Sequence, residues 1–128
     1  VAGRKFEYLK ERILGYEELM KLPVMCLEGN TSTRTYVEQF LASKQVTVRP
    51  EFELATSDML IQFAVRNLGI ASVVRNFAVE HLKTGDLFEL RFLEEIPART
   101  FCIVANERIP LSAAAATLMN VLVQGTSQ

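Results

Sequence analysis

A chain of 128 residues with 49% hydrophobic and 23% charged residues has the composition of one globular domain, or one lobe of a larger one, and not of a disordered or fibrous protein. A formal charge of -1 and a pI near 5.9 argue against a bare nucleic-acid binder, which carries a basic excess to neutralise phosphates. No apolar run approaches the roughly 20 residues of a membrane-spanning helix, and no secretory signal is visible.

The chain opens Val1-Ala2-Gly3 without a methionine, which reads as a piece of a longer protein and as the end of a strand begun elsewhere. Residues 6–14 mix charged and apolar types without a clean period and carry a weak helical signal. Glu17-Glu18-Leu19-Met20-Lys21 reads as a short helical turn, acids first and a base last, matching the helix macrodipole. Pro23 ends it and residues 24–27 follow as a buried strand. The loop of residues 28–35 opens a helix with Tyr36, Val37, Phe40 and Leu41 on one face. That helix stops around residues 43–45.

Residues 46–54 alternate imperfectly, and Pro50 places the strand at a sheet edge or starts it late. Thr56-Ser57-Asp58 then caps an apolar helix over residues 59–68, whose polar stripe is Gln62 and Arg66. Gly69 is read as the helix stop. Residues 70–74, apolar apart from Ser72, read as a strand buried on both faces, as parallel sheets require. Asn76 caps a helix running to Lys83, with Gly85 as its left-handed stop. Residues 87–93 set Phe88, Leu90 and Phe92 against Glu89 and Arg91 as a half-buried strand, and Phe77 and Leu82 join Phe88 as expected core. Residues 101–105 form another apolar strand. Pro110-Leu111-Ser112 introduces a helix with Leu111, Ala114, Ala115, Leu118, Met119 and Leu122 on one face, and residues 124–128 are expected to be loose. Both cysteines, Cys26 and Cys102, sit in strand-like runs and read as buried free thiols, which fits a reducing, cytoplasmic setting.

Two strand-to-helix junctions cluster hydroxyls and amides: Asn30-Thr31-Ser32-Thr33 and Thr56-Ser57. Free N–H groups at a helix start attract anions, and short hydroxyl side chains add donors without blocking access. Arg34 and Arg75 would supply cations for a small organic anion. The same residues also serve as ordinary helix caps, and Asp58 already occupies the positive end of its helix. No nucleophile, base and orienting group come together. His81, the single histidine, stands beside Glu80 near a helix end. There is no Cys/His metal spacing and no glycine-rich phosphate loop, so no enzymatic activity, metal or cofactor is expected.

The chain resembles the effector-binding domain of LysR-type transcriptional regulators. The residues that carry the resemblance are Glu53-Leu54-Ala55-Thr56-Ser57-Asp58-Met59 leading into Asn67-Leu68-Gly69-Ile70-Ala71, then Leu82-Lys83-Thr84-Gly85-Asp86-Leu87, and Pro110-Leu111-Ser112-Ala113-Ala114. Upstream, Leu19, Pro23 and Asn30 to Arg34 fit the same pattern. One departure is Val74-Arg75 where the family usually has a proline after the Gly-Ile strand. The resemblance implies an α/β fragment of a type 2 periplasmic-binding-protein-like fold, with one Rossmann-like lobe plus a strand and helix returning to the other lobe. Residues 1–15 would be a crossing strand and connector, 16–98 the second lobe, 99–123 the return to the first lobe, and 124–128 a flexible tail. It further implies a small-molecule effector held between two lobes, pairing into homodimers or larger oligomers, no membrane, and DNA contacted only through a winged helix-turn-helix absent from this chain. A solute-binding protein of a transport system, or a small α/β enzyme whose catalytic groups lie elsewhere, are the alternative readings. With its first-lobe partners absent, the apolar helix face at Ala114, Leu118 and Leu122 is expected to be covered by a neighbouring chain.

Overall fold

In the computed structural model, residues 1–100 and 102–125 are described, and two compact units divide near residue 96: Val1–Ile96 and the segment from Pro97 onward.

The first unit is built on three parallel strands, β3 (Val24–Leu27), β4 (Phe52–Leu54) and β5 (Ile70–Ala71), in the order β4-β3-β5. The central strand β3 is buried at all four residues, as its uninterrupted apolar run requires. Its side chains alternate between two cores. Met25 and Leu27 join Leu54, Leu60, Ile61, Ala64, Ala71, Ala78 and Leu87 on one face. Val24 and Cys26 join Ala2, Phe6, Leu9, Leu14 and Ile70 on the other. β4 starts at Phe52, after Pro50, with Phe52 and Glu53 exposed, as an edge strand allows.

Helix α1 (Ser32–Ser43) follows β3 and brings Leu41, with the half-buried Val37 and Phe40, against Tyr16 and Val46. The Tyr16 ring stacks on Phe92 at 4.4 Å and meets Phe40 edge-on at 5.1 Å, while its hydroxyl donates to the Glu94 carbonyl at 2.6 Å. Helix α2 (Ser57–Val65) follows β4. It buries Leu60, Ile61 and Ala64 but leaves Met59 exposed, and Arg66 Nη1 donates to Gln62 Oε1 at 2.7 Å, so the two polar residues pair. Helix α3 (Arg75–Thr84) follows β5. Short strands complete the unit: β1 (Ala2–Gly3) pairs antiparallel with β6 (Leu87–Phe88), and β2 (Ile13–Leu14) pairs parallel with β7 (Arg91–Phe92). Val1 joins β1 to β5: its carbonyl accepts from Ala71 N at 2.9 Å.

Several sequence expectations need correction. Gly69 is not the left-handed stop of α2. That role falls to Asn67 at φ 62°, whose Oδ1 accepts from Lys5 N at 2.8 Å. Gly69 instead lies where a Cβ would meet the Pro23 carbonyl at 2.5 Å. Gly85, at φ 77°, is the stop expected of it. α3 begins one residue before Asn76, with Val74 at its cap and no side-chain cap bond. Phe77 is 60% exposed rather than core. Residues 4–9 form a 3-10 turn in place of the weak helical signal over residues 6–14, whereas the short helical turn expected at Glu17 to Lys21 is present as a 3-10 helix over residues 16–21. The strand expected over residues 70–74 ends at Ala71, and the one over residues 87–93 is split into two.

In the second unit, residues 102–105 form no strand and Cys102 is exposed. Phe101 and the last three residues of the expected tail lie outside the described residues. A strand needs a ladder partner, and among the described residues none pairs with this segment. Helix α4 (Ala113–Gly125) runs two residues into the expected tail. Ser112 caps it, its hydroxyl accepting from Ala115 N at 3.2 Å. Leu118, Val121, Leu122 and Val123 are each at least half exposed.

Candidate functional site

Because β3, β4 and β5 run parallel, their carboxyl ends share one sheet edge, and helices α1, α2 and α3 all begin there. Leu27 and Leu54 are register partners, and Glu28 N donates to the Leu54 carbonyl at 3.1 Å. The two hydroxyl-rich junctions therefore leave the sheet side by side. Thr31 is the N-cap of α1, its Oγ1 accepting from Arg34 N at 3.2 Å and donating to the Glu28 carbonyl at 3.0 Å. Thr56 is the N-cap of α2, accepting from Met59 N at 3.2 Å. Asn30, Ser32 and Thr56 are exposed, whereas Thr31, Thr33 and Ser57 are partly buried. Capping is thus part of what Thr31 and Thr56 do, and both helix starts lie at the same sheet edge.

The two arginines differ: Arg34 is buried among acceptors of its own fold, whereas Arg75 meets a carboxylate at the surface. Arg34 is only 8% exposed. Its Nε donates to Glu38 Oε1 at 2.6 Å, its Nη1 to the Leu27 carbonyl at 2.8 Å and its Nη2 to Glu53 Oε1 at 3.5 Å. Burial by itself would lower its pKa. The Glu38 hydrogen bond, with Cys26, Glu38 and Glu53 nearby, more than offsets this and holds the guanidinium above its ordinary value. Arg75 opens α3 and is exposed, with Nε 2.5 Å from Glu89 Oε1. His81 lies in the last turn of α3, 3.7 Å from Asp86.

Beneath the α1 start, a narrow crevice is lined by Cys26, Leu27, Thr33, Arg34, Val37 and Ser72. Sequence reasoning missed Ser72 and Cys26 as neighbours of this edge. The interruption of an apolar strand by Ser72 was the available signal. The Cys26 thiol is pushed above its ordinary pKa by burial first, with Arg34 opposing and Glu38 and Glu53 reinforcing. A larger depression, about 1200 Å3 and open to solvent, lies on the Val24/Cys26 side of the sheet; it shares Cys26, Val37 and Ser72 with the crevice and, of the predicted set, Arg75 alone. The larger depression sets as many acids as bases among apolar walls.

Among the described residues no group of three or more His, Cys, Asp or Glu side chains is placed to hold a metal ion, and no helix is long and apolar enough to cross a membrane.

Residues 4–127 match the family model described as the LysR substrate binding domain. A stretch of 71 residues, 56% of this chain, is 27% identical to the HTH-type transcriptional activator CmpR of Synechocystis sp. (strain ATCC 27184 / PCC 6803 / Kazusa) and spans 23% of that protein's length. The chain belongs to the LysR substrate-binding domain family, whose periplasmic-binding-protein-like fold is the one its parallel strands and crossover helices build.

Proposed function

We propose that this chain is the effector-sensing part of a LysR-type transcriptional regulator that acts in the cytoplasm. A small metabolite binds at the edge formed by Asn30 to Thr33 and Thr56 to Ser57. The observation that carries this reading is the Leu27–Leu54 register, which sets the two hydroxyl-rich helix starts next to each other. Residues 16–98 form the second lobe, residues 99–123 return to the first, and the other wall of the cleft comes from outside this chain. With Arg34 buried among carboxylates, an anionic effector is met here by N–H and O–H donors, and the exposed Arg75 is the remaining candidate cation of the predicted set. Its unequal affinity for two lobe or dimer arrangements shifts how a DNA-binding segment beyond this chain sits on DNA. Family membership favours this reading over a transport protein or an enzyme.

The test is a thermal-shift screen of metabolites on the full-length regulator, followed by titration of each hit against Ser32→Ala and Thr56→Ala. Loss of the ligand response is expected in both variants, and a normal response in both refutes the site. Oligomerisation is supported by the exposed Leu118, Val121 and Leu122 of α4. Light scattering across a concentration series is expected to show association of this chain, and a monomer at every concentration refutes it.

A further inference from the structure

We infer that Arg34 is a positioning residue of the proposed effector wall: it fixes the spacing of the two hydroxyl-rich helix starts and leaves ligand contact to others. The inference rests on the effector-site reading above and deepens it.

Arg34 belongs to the first turn of α1, and its own N–H is the one that Thr31 caps. Its side chain runs back to the sheet. Nη1 holds the carbonyl of Leu27, the last residue of β3, and Nη2 reaches Glu53 of β4, three residues before Thr56. One buried guanidinium thus ties the start of α1 to both strands that feed the two junctions. The planar fork of arginine can serve three acceptors at fixed angles, whereas a lysine ammonium on a flexible stem does not reproduce that geometry. The three ties are unequal. Glu38 lies on α1 itself, so its bond shapes the rotamer without linking elements. The Glu53 contact is the longest of the three, and Glu53 is half exposed, so Glu53→Gln exchanges a charge-assisted bond for a neutral one without leaving a buried carboxylate unpaired.

The experiment uses this 128-residue chain and needs no ligand. Backbone amide exchange by NMR is read at Met59, whose N–H is capped by Thr56 on α2, and at Arg34, alongside the Arg34 Nε–H signal and the melting temperature. Glu53→Gln is expected to leave the melting temperature nearly unchanged while exchange at Met59 accelerates severalfold. Arg34→Lys is expected to accelerate it by about tenfold beyond the change in global stability, equivalent to about 1.4 kcal/mol of local opening. Glu38→Gln is expected to shift the Nε–H signal and leave Met59 alone. Exchange at Met59 that follows global stability alone in both Glu53→Gln and Arg34→Lys overturns the positioning role. Should Arg34→Lys fail to fold, Glu53→Gln decides by itself. A full-length wild type that responds to no metabolite overturns the effector site and leaves the exchange result standing.

Discussion

Replacing Gly69 by alanine tests how β5 is seated. Gly69 is buried, and a Cβ there meets the Pro23 carbonyl oxygen at 2.5 Å and Met25 Cγ at 2.9 Å. The first contact lies about 0.9 Å inside ordinary van der Waals range. The Met25 side chain is fully buried and the Pro23 oxygen is backbone, so neither yields cheaply. That same oxygen accepts from Ile70 N at 2.9 Å, at the start of the β3–β5 ladder that pairs Val24 with Ile70. Overpacking of this kind costs about 1–3 kcal/mol, and a weakened hydrogen bond adds about 0.5–1.5 kcal/mol. The expected loss is therefore about 2–4 kcal/mol, or roughly 10 °C in melting temperature for a domain of this size.

The assay is urea unfolding of both proteins, with the midpoint shifted and the slope unchanged. Gly85→Ala is the control. Its added Cβ meets nothing within 4 Å, and only its φ of 77° is unsuited to alanine, so about 1 kcal/mol is expected. The reasoning is refuted if Gly69→Ala costs less than Gly85→Ala, since the close approach at Gly69 would then not govern the packing.

Thr31→Ala and Thr56→Ala each remove one cap bond, and each is expected to cost about 1 kcal/mol in urea unfolding. Tyr16→Phe keeps the ring stack and loses the bond to the Glu94 carbonyl, an expected cost of about 1 kcal/mol. Burial first, then the charges of Glu94 and Glu95, push the Tyr16 pKa up from 10 to about 12. Its contribution to stability is full below pH 10 and is lost as pH rises from 10 through 12; an ultraviolet titration phase near pH 12 that Tyr16→Phe abolishes checks the assignment. A thiol reagent is expected to modify exposed Cys102 quickly and buried Cys26 only slowly, with Cys102→Ser abolishing the fast phase; two fast thiols refute the burial of Cys26.

The alternation of apolar strands with hydroxyl-capped helices was legible over residues 24–71, because caps and buried parallel strands leave local marks in composition. What was not legible depended on the rest of the molecule. A glycine after a helix reads equally as a left-handed stop or as a close approach, and only the position of the Pro23 carbonyl separates them at Gly69. Asn67 took the stop because its side chain gains the Lys5 N–H, 62 residues away in sequence. Arg34 read as a ligand cation because its helix position was visible and its reach back to Leu27 and Glu53 was not. Residues 102–105 have the apolar composition of a strand, but a strand is a property of a pair, and no partner pairs with them among the described residues.

The energetics of the proposed sensor follow from the commitment of Arg34. Driving a two-state equilibrium from 1:99 to 99:1 takes a difference in binding free energy of about 5.5 kcal/mol between the states. A neutral hydrogen bond contributes about 0.5–1.5 kcal/mol net, and the one hydroxyl proton of Thr31 is already donated to the Glu28 carbonyl. With Arg34 held by acceptors of its own fold, a few neutral donors at the proposed edge would supply part of the required difference. In the proposed sensor, an effector that touched this wall alone would bind both arrangements nearly equally wherever the wall is common to both, and equal binding shifts nothing however tight it is. On that proposal the discriminating contacts belong to the facing wall, and the role of this edge is the complementary one of holding one end of the ligand in place.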